Sequence, residues 1–224
     1  MNQIGEIRQE LKDVVFGRVS IADGVIPPLL FVVSNALWGV VVASVLGLGS
    51  AAGITIWRLL KGRPIRFALA GLFGTALAVV FALLSGSAGG FFLPGIISSA
   101  GTTILILISI GVRRPFVAWT SAVARGWPLG WYWHPRVRPA YTRTSWLWAV
   151  FFATRSLVQW RLYGDEETVG LAVARVIMGW PALLVLLVAT YVLGRRWLTQ
   201  LQGPSVVEFE AAENPPWEGQ KRGF

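Results

Sequence analysis

Long apolar runs, separated by short polar or basic stretches, dominate the chain between residues 25 and 194. A helix needs about 20 apolar residues to cross the roughly 30 Å hydrocarbon core of a bilayer. The pattern therefore predicts an all-α fold, a polytopic membrane helical bundle with about six transmembrane helices. The predicted spans cover residues 25–38, 41–60, 65–85, 93–112, 145–163 and 168–194.

The first apolar block, Val25–Trp57, is too long for one crossing. As a single helix it would extend about 50 Å, which exceeds the hydrocarbon core. We therefore divide it near Trp38–Gly39. The first member, residues 25–38, is then short, and either crosses with a tilt or re-enters.

Both ends of the chain lack membrane-spanning character. Residues 1–20 place apolar side chains at helical spacing and predict an amphipathic helix on the membrane surface or on the protein's own loops. Residues 198–224 are rich in Pro, Gly and Glu after Gln202, and predict a disordered cytoplasmic tail.

Composition and charge support a membrane location. The chain is 54% hydrophobic and 14% charged, and it has no cysteine, which excludes disulfides and thiolate sites. Its net charge of +9 lies mainly in loops that flank the apolar blocks. By the positive-inside rule, six crossings with both termini cytoplasmic satisfy every loop of a plasma (inner) membrane protein, whereas five would place the N-terminal helix outside.

Arginines inside two predicted spans are the main candidates for a site. Arg155 lies about 12 Å from the end of the fifth span, close to the midplane, and Arg175 lies at a similar depth in the sixth. None of the eleven Asp and Glu residues falls inside a span. Because an isolated charge at this depth costs about 2.5 kcal/mol or more, each arginine must have a partner.

Two interpretations remain open for these arginines. In the structural one, Pro181 frees the carbonyl of Ile177 for Arg155, and Arg175 extends towards the acidic turn at residues 165–167. In the functional one, the guanidinium groups bind a lipid phosphate or a carboxylated solute. The predicted anion- or lipid-binding residues are Arg155, Gln159, Arg175 and Asn35, beside a helix break at Gly179 and Pro181.

The loop at residues 113–143 interleaves aromatic and basic side chains in GWPLGWYWHPRVRPAY. Such a mixture can grip single-stranded nucleic acid, but aromatics and arginines also collect at lipid headgroups. Between two membrane helices the interfacial interpretation is favoured, and no nucleic-acid partner is predicted. The single histidine, His134, is interpreted as a surface residue.

Motifs for catalysis or cofactor binding are absent from the sequence. There is no HExxH, no Walker phosphate loop and no GxSxG, and no acidic pair lies in a span. We therefore predict a protein without catalytic residues, metal ligands or cofactors.

Several stretches are distinctive, namely IPPLLFVVSNAL, RPIRFALAGLFG, GGFFLPGIISSAG, RRPF, TSWLWAVFFATR and GWPALL. In this order they resemble an actinobacterial integral-membrane family of unknown function over roughly residues 20–197. The chain more distantly resembles the inner-membrane septation protein A family, through its proline-led apolar start, its WRLLKGRP turn and WLWAVFF. The second resemblance implies a role in cell-envelope synthesis or division through contacts with other envelope proteins.

Together these observations predict a non-catalytic membrane protein of cell-envelope biogenesis or division. Its partners would be membrane lipids, including anionic ones, or envelope proteins. The alternative is a small secondary transporter for an anionic solute or lipid, because transporters bind substrates at broken helices near the midplane. The sequence contains no convincing inverted repeat in support of transport.

Overall fold

The computed structural model describes residues 21–61, 65–220 and 223–224, and this part of the chain is helical without strands. The predicted surface helix at residues 1–20 lies outside it. The α-helices are α1 (Ile21–Leu60), α2 (Ile65–Ser85), α3 (Leu93–Gly111), α4 (Phe116–Arg125), α5 (Leu129–Tyr132), α6 (Arg138–Gly164), α7 (Thr168–Ile177), α8 (Trp180–Leu201) and α9 (Val206–Glu210). A short 3-10 helix, Ala88–Phe92, precedes α3.

The chain divides into two compact units. The first unit contains the described residues up to Ser98 together with Ser156–Ala182. The second unit contains Ser99–Arg155 together with Leu183–Phe224. The division falls inside α3, α6 and α8, so each unit combines segments that are distant in sequence.

Helix α1 is a hairpin of two helical halves. Gly39 interrupts it with φ 78° and ψ 174°, a conformation that glycine adopts at little cost because it has no Cβ. The second half then packs on the first, since a methyl group on Gly47 would lie 3.5 Å from the Phe31 Cβ and 3.8 Å from the Pro27 carbonyl oxygen. The interruption falls where the sequence analysis divides this block.

The core of the first unit joins α1, α2, α7 and the 3-10 helix. The rings of Phe31 and Phe91 stack with centroids 4.2 Å apart, and both side chains are buried. Ala78 and Ala82 of α2 are buried beside them, whereas Gly74, one turn before Ala78, is exposed. Small side chains thus allow close packing in the last two turns of α2.

The core of the second unit is aromatic. Trp131, Tyr132 and Tyr141 are fully buried, and their ring centroids lie 4.9–6.0 Å apart in edge-on arrangements. The Phe224 ring stacks on Tyr141 with a centroid distance of 4.4 Å and an interplanar angle of 8°. The loop predicted to line the membrane interface therefore contributes Trp131 and Tyr132 to a protein core.

The C-terminal segment differs from its prediction. Residues 198–201 continue α8, and the following residues pack on the second unit rather than forming a disordered tail. The Trp131 indole donates a hydrogen bond of 2.8 Å to the Pro204 carbonyl oxygen, and Ser205 begins the short helix α9. Local composition predicts disorder here, but contacts with distant residues order the segment.

Three helical stretches in the described residues are long and apolar enough to cross a membrane: Pro27–Trp57, Ala88–Gly111 and Thr168–Leu201. The part of α2 from Gly71 to Ser85 is also apolar. Only 11% of the most apolar window of Thr168–Leu201 is buried within the protein, so most of this surface needs an apolar surrounding. These features fit a membrane protein. Helix α6, the predicted fifth span, has 27 residues but is too polar to belong to this set.

Candidate functional site

Three side chains of α6 have a buried polar atom without a hydrogen-bond partner among the described residues, namely Tyr141, Arg155 and Gln159. Arg155 is half-buried, and its Nε has no hydrogen-bond partner within the described part of the chain. Gln159, four residues later, is 3% exposed. Its Nε2 also has no hydrogen-bond partner among the described residues. A buried donor without a partner costs about 1–3 kcal/mol, so both groups favour an added acceptor.

Arg175 of α7 lies against aromatic rings of the first unit. Its guanidinium carbon is 5.9 Å from the Phe91 ring centre and 5.7 Å from that of Phe92, within cation–π range. A methyl group on Gly95 would lie 3.5 Å from the Arg175 Nη1, an ordinary van der Waals contact, so the guanidinium lies against the start of α3. The contact of Arg175 with the acidic turn at 165–167 stays a prediction.

The structure distributes the predicted site residues over both units. Asn35, Gln159 and Arg175 belong to the first unit, and Asn35 is half-buried on the first half of α1. Arg155 belongs to the second unit. A joint anion site of the four residues stays a prediction, as does the bond from Arg155 to the Ile177 carbonyl.

The helix break lies between α7 and α8. Helix α7 ends at Ile177, and α8 begins at Trp180, with Pro181 in its first turn. Proline is compatible with a first turn because the first backbone N–H groups of a helix have no intrahelical partner. A methyl group on Gly179 would lie only 2.7 Å from the Arg175 carbonyl oxygen, so the break requires glycine at this position.

The second unit carries a set of arginine–tryptophan pairs, which we call the arginine–aromatic surface. Its members are Arg114 on Trp133, Arg136 on Trp217 and Arg143 on Trp197, with guanidinium-to-ring distances of 4.5, 5.6 and 5.9 Å. All three arginines are exposed. The pairing orients each guanidinium group while its N–H edge remains able to bind an anion.

Glu208 holds the C-terminal segment together through hydrogen bonds to its backbone. Its carboxylate accepts backbone hydrogen bonds of 2.6 Å from Ser205, 2.6 Å from Glu218 and 3.2 Å from Gly219. The Ser205 hydroxyl accepts in turn from the Glu208 N–H at 3.2 Å, which completes a capping box. This role was not predicted, although the Ser-Val-Val-Glu motif at 205–208 is the signature of a capping box.

This segment is expected to detach as the pH falls through the titration of Glu208. The Ser205 N–H, followed by the Glu218 and Gly219 N–H groups, lowers the pKa of Glu208 from 4.5 to about 2. Because the folded pKa is the lower one, this stabilisation is complete above pH 4.5 and is lost between pH 4.5 and about 2. Hydrogen exchange at the Ser205, Glu218 and Gly219 amides, corrected for its intrinsic pH dependence, measures the detachment.

Glu208→Gln is expected to expose the same amides at every pH, because the neutral amide is a weaker acceptor. Glu210→Gln is the matched control, since Glu210 lies two residues away and is exposed. Protection that persists unchanged down to pH 2 in the wild-type protein would contradict the assignment.

Residues 223–224 pack beside Arg125. The Arg125 Nε donates a hydrogen bond of 2.8 Å to the Phe224 main-chain oxygen, and the guanidinium lies 5.2 Å from the Trp127 ring centre. A methyl group on Gly194 would overlap the Phe224 ring, so glycine at this point of α8 makes room for it. The end of α4, helix α8 and the end of the described chain thus meet beside the Phe224 ring.

His134 is half-buried rather than fully at the surface. Its ring lies 5.3 Å from that of Trp217, and its Nδ1 accepts a hydrogen bond from the Arg136 N–H. Burial and then the Arg136 charge lower the pKa of His134. Among residues 21–61, 65–220 and 223–224, no three His, Asp or Glu side chains are grouped to hold a metal ion.

Comparison with known proteins gives one match. A family model described as "Protein of unknown function (DUF3159)" matches residues 16–201. This confirms the predicted membership of an unknown-function family, whereas the actinobacterial origin and the likeness to septation protein A stay predictions. No curated protein and no solved structure matches the chain.

Proposed function

Because the chain belongs to the DUF3159 family, whose function is unknown, we propose a role from its own residues: a non-catalytic membrane protein that binds anionic lipid headgroups. The observation that carries this proposal is the arginine–aromatic surface, where three exposed guanidinium groups lie on tryptophan rings. Tryptophan favours the headgroup level of a bilayer, and arginine binds phosphate through paired N–H groups. The surface thus combines the two residue types that a headgroup layer selects.

The proposed topology has six crossings, with both termini on the cytoplasmic side of the plasma membrane. The hairpin at Gly39 supports it, because the two halves of α1 account for the first two crossings. Helix α6 would be the fifth crossing despite its polarity, with Arg155 facing the protein. The arginines of the loop between α3 and α6 then face the cytoplasm, in agreement with the positive-inside rule.

We assign this binding to cell-envelope biogenesis or division, with envelope proteins as further partners. The ground for this assignment is the distant sequence resemblance to septation protein A. Lipid binding and partner binding are compatible here, since a protein held at the headgroup level presents its remaining polar surface to the cytoplasm.

The lipid proposal is tested with Arg114→Gln/Arg143→Gln in zwitterionic detergent. Phosphatidylglycerol is expected to raise the unfolding temperature of the wild-type protein, whereas phosphatidylcholine with the same acyl chains leaves it unchanged. Removal of two arginines is expected to cost about 2 kcal/mol of lipid binding, because each basic residue at an anionic surface contributes about 1 kcal/mol. The thermal shift at increasing lipid concentration measures this loss.

Arg161→Gln is the matched control, because Arg161 is exposed on α6 but belongs to the first unit. It is expected to keep the phosphatidylglycerol response. Equal shifts with both lipids, or equal losses in the double variant and in Arg161→Gln, would refute the proposal.

A second candidate is a small secondary transporter for an anionic solute or lipid. The specific observation in its favour is the buried Arg155 Nε, which has no hydrogen-bond partner among the described residues. An anion that enters this environment would supply the missing acceptor. The break at Gly179 and Pro181 adds a further point at which α7 and α8 can change their relative angle.

A further inference from the structure

A polar cleft opens in the second unit between the last turns of α8 and the C-terminal segment. It encloses about 730 Å³, and its walls include Arg136, Arg195, Thr199, Gln202, Trp217 and Glu218. Binding sites for small molecules typically enclose about 300–1,000 Å³. The cleft therefore has room for a small organic molecule and not merely for a single ion.

Two arginines line this cleft from different segments. Arg136, in the loop before α6, is held on the Trp217 ring at 5.6 Å, and Arg195 of α8 lies 5.8 Å from the Tyr191 ring centre. The Trp217 indole donates a 2.9 Å hydrogen bond to the Glu213 carbonyl oxygen, which fixes the ring under Arg136. Guanidinium groups oriented in this way match the oxygens of a phosphate group.

The remaining polar walls suit hydroxyl groups. The Thr199 hydroxyl donates to the Arg195 carbonyl oxygen at 3.0 Å, so its own oxygen is available to accept a hydrogen bond. The side-chain amide of Gln202 supplies both a donor and an acceptor. A polyol would find partners of both kinds in this part of the cleft.

We propose that this cleft binds the phosphate group of a phosphorylated polyol, either a free ester or the headgroup of a phospholipid. Arg136 and Arg195 bind the phosphate, and Thr199 with Gln202 binds the hydroxyls. The cleft shares Arg136 with the arginine–aromatic surface but contains neither Arg114 nor Arg143, so Arg114→Gln/Arg143→Gln is expected to leave binding in the cleft unchanged.

Replacement of Glu218 is expected to strengthen phosphate binding, which is the opposite of the effect expected for the arginines. Glu218 also lines the cleft, and its carboxylate opposes a bound phosphate. Its backbone N–H donates to the Glu208 carboxylate, and Glu218→Gln preserves this hydrogen bond. The variant is therefore expected to bind phosphate about two- to fivefold more tightly, a gain typical of removing one exposed charge.

The test is calorimetric titration of the full chain in zwitterionic detergent. Glycerol 3-phosphate probes a free ester, and short-chain phosphatidylglycerol probes a lipid headgroup. At least one is expected to bind, and Arg195→Gln is expected to weaken it about tenfold or more, because charge-assisted hydrogen bonds are lost. Arg196→Gln is the matched control, since Arg196 is adjacent and exposed but does not line the cleft.

Each outcome decides the question. Binding of the free ester identifies a soluble ligand, and binding of the lipid alone identifies a headgroup. Arg136→Gln and Glu218→Gln, which should weaken and strengthen binding respectively, keep the test valid if Arg195→Gln fails to fold. No binding of either probe, or equal effects of Arg195→Gln and Arg196→Gln, would overturn the proposal.

Discussion

Trp131→Ala is expected to lower the free energy of unfolding by about 3–5 kcal/mol, the usual cost of removing a large buried aromatic side chain. Trp131 is 0% exposed and packs edge-on against Trp127 and Tyr132. The substitution also removes the indole that donates to the Pro204 carbonyl oxygen. Titration with a denaturing detergent measures the stability, and proteolysis after Pro204 reports the release of the C-terminal segment.

Trp146→Ala is the matched control, because Trp146 is 48% exposed on α6 of the same unit. It is expected to change stability by less than about 1 kcal/mol. Trp131→Phe separates the two contributions of the buried ring, since it retains most of the aromatic packing but cannot donate to Pro204. Similar losses in Trp131→Ala and Trp146→Ala would mean that the aromatic cluster does not organise the second unit.

Arg155→Met is expected to stabilise the protein by about 1–3 kcal/mol in lipid-free detergent, since it removes a buried donor that lacks a partner. Methionine keeps an unbranched side chain that can adapt to the same space. The variant is also expected to lose any stabilisation by anionic lipid or by carboxylated and phosphorylated solutes. Thermal unfolding with and without these anions measures both effects.

A structural role for Arg155 predicts the reverse. Arg155→Met and Arg155→Lys would then both lower the unfolding temperature, by amounts that do not depend on added anions. Arg161→Met provides the control on the same helix, because that side chain is exposed. Equal anion protection of wild type and Arg155→Met would eliminate the anion site, and with it the main support for transport.

The helical architecture could be predicted from sequence largely because glycine and proline mark its interruptions. Gly39 stands in the middle of an apolar block, and Gly179 with Pro181 stands in another. At both positions the residue type constrains the backbone locally, and the helices are interrupted there. The polarity of α6 was also evident from the sequence. It does not distinguish a membrane span with an inward-facing arginine from a polar helix outside the membrane.

The order of the C-terminal segment could not be predicted from local composition. It depends on pairs that are distant in sequence, such as Trp131 with Pro204 and Arg125 with Phe224. The burial of aromatic residues in the loop at residues 113–143 was equally hard to predict. An aromatic residue suited to the headgroup region is also suited to a protein core. Burial of Trp131 was decided by the elements around it.

The burial of polar atoms of Arg155 and Gln159 could be predicted from the sequence, whereas the anion site that they would form stays a prediction. A shared helical face indicated that Arg155 and Gln159 point inward, and both have buried polar atoms. The pairing of exposed arginines with Trp133, Trp197 and Trp217 was not predictable, because it requires the folded loop. Residue types therefore indicated charged side chains in an apolar setting, while the arginine–tryptophan contacts became evident only from the fold.

The hairpin at Gly39 also bears on how the chain enters a bilayer. Residues 24–57 contain no Lys, Arg, Asp or Glu, so the bend itself carries no ionised group to be transferred. The two halves can bury their facing surfaces before either is fully surrounded by acyl chains, and they would integrate as a preassembled pair. In the six-crossing topology proposed above, a charged residue at the bend would have to cross the bilayer, and this would slow membrane insertion even if the folded protein tolerated the residue.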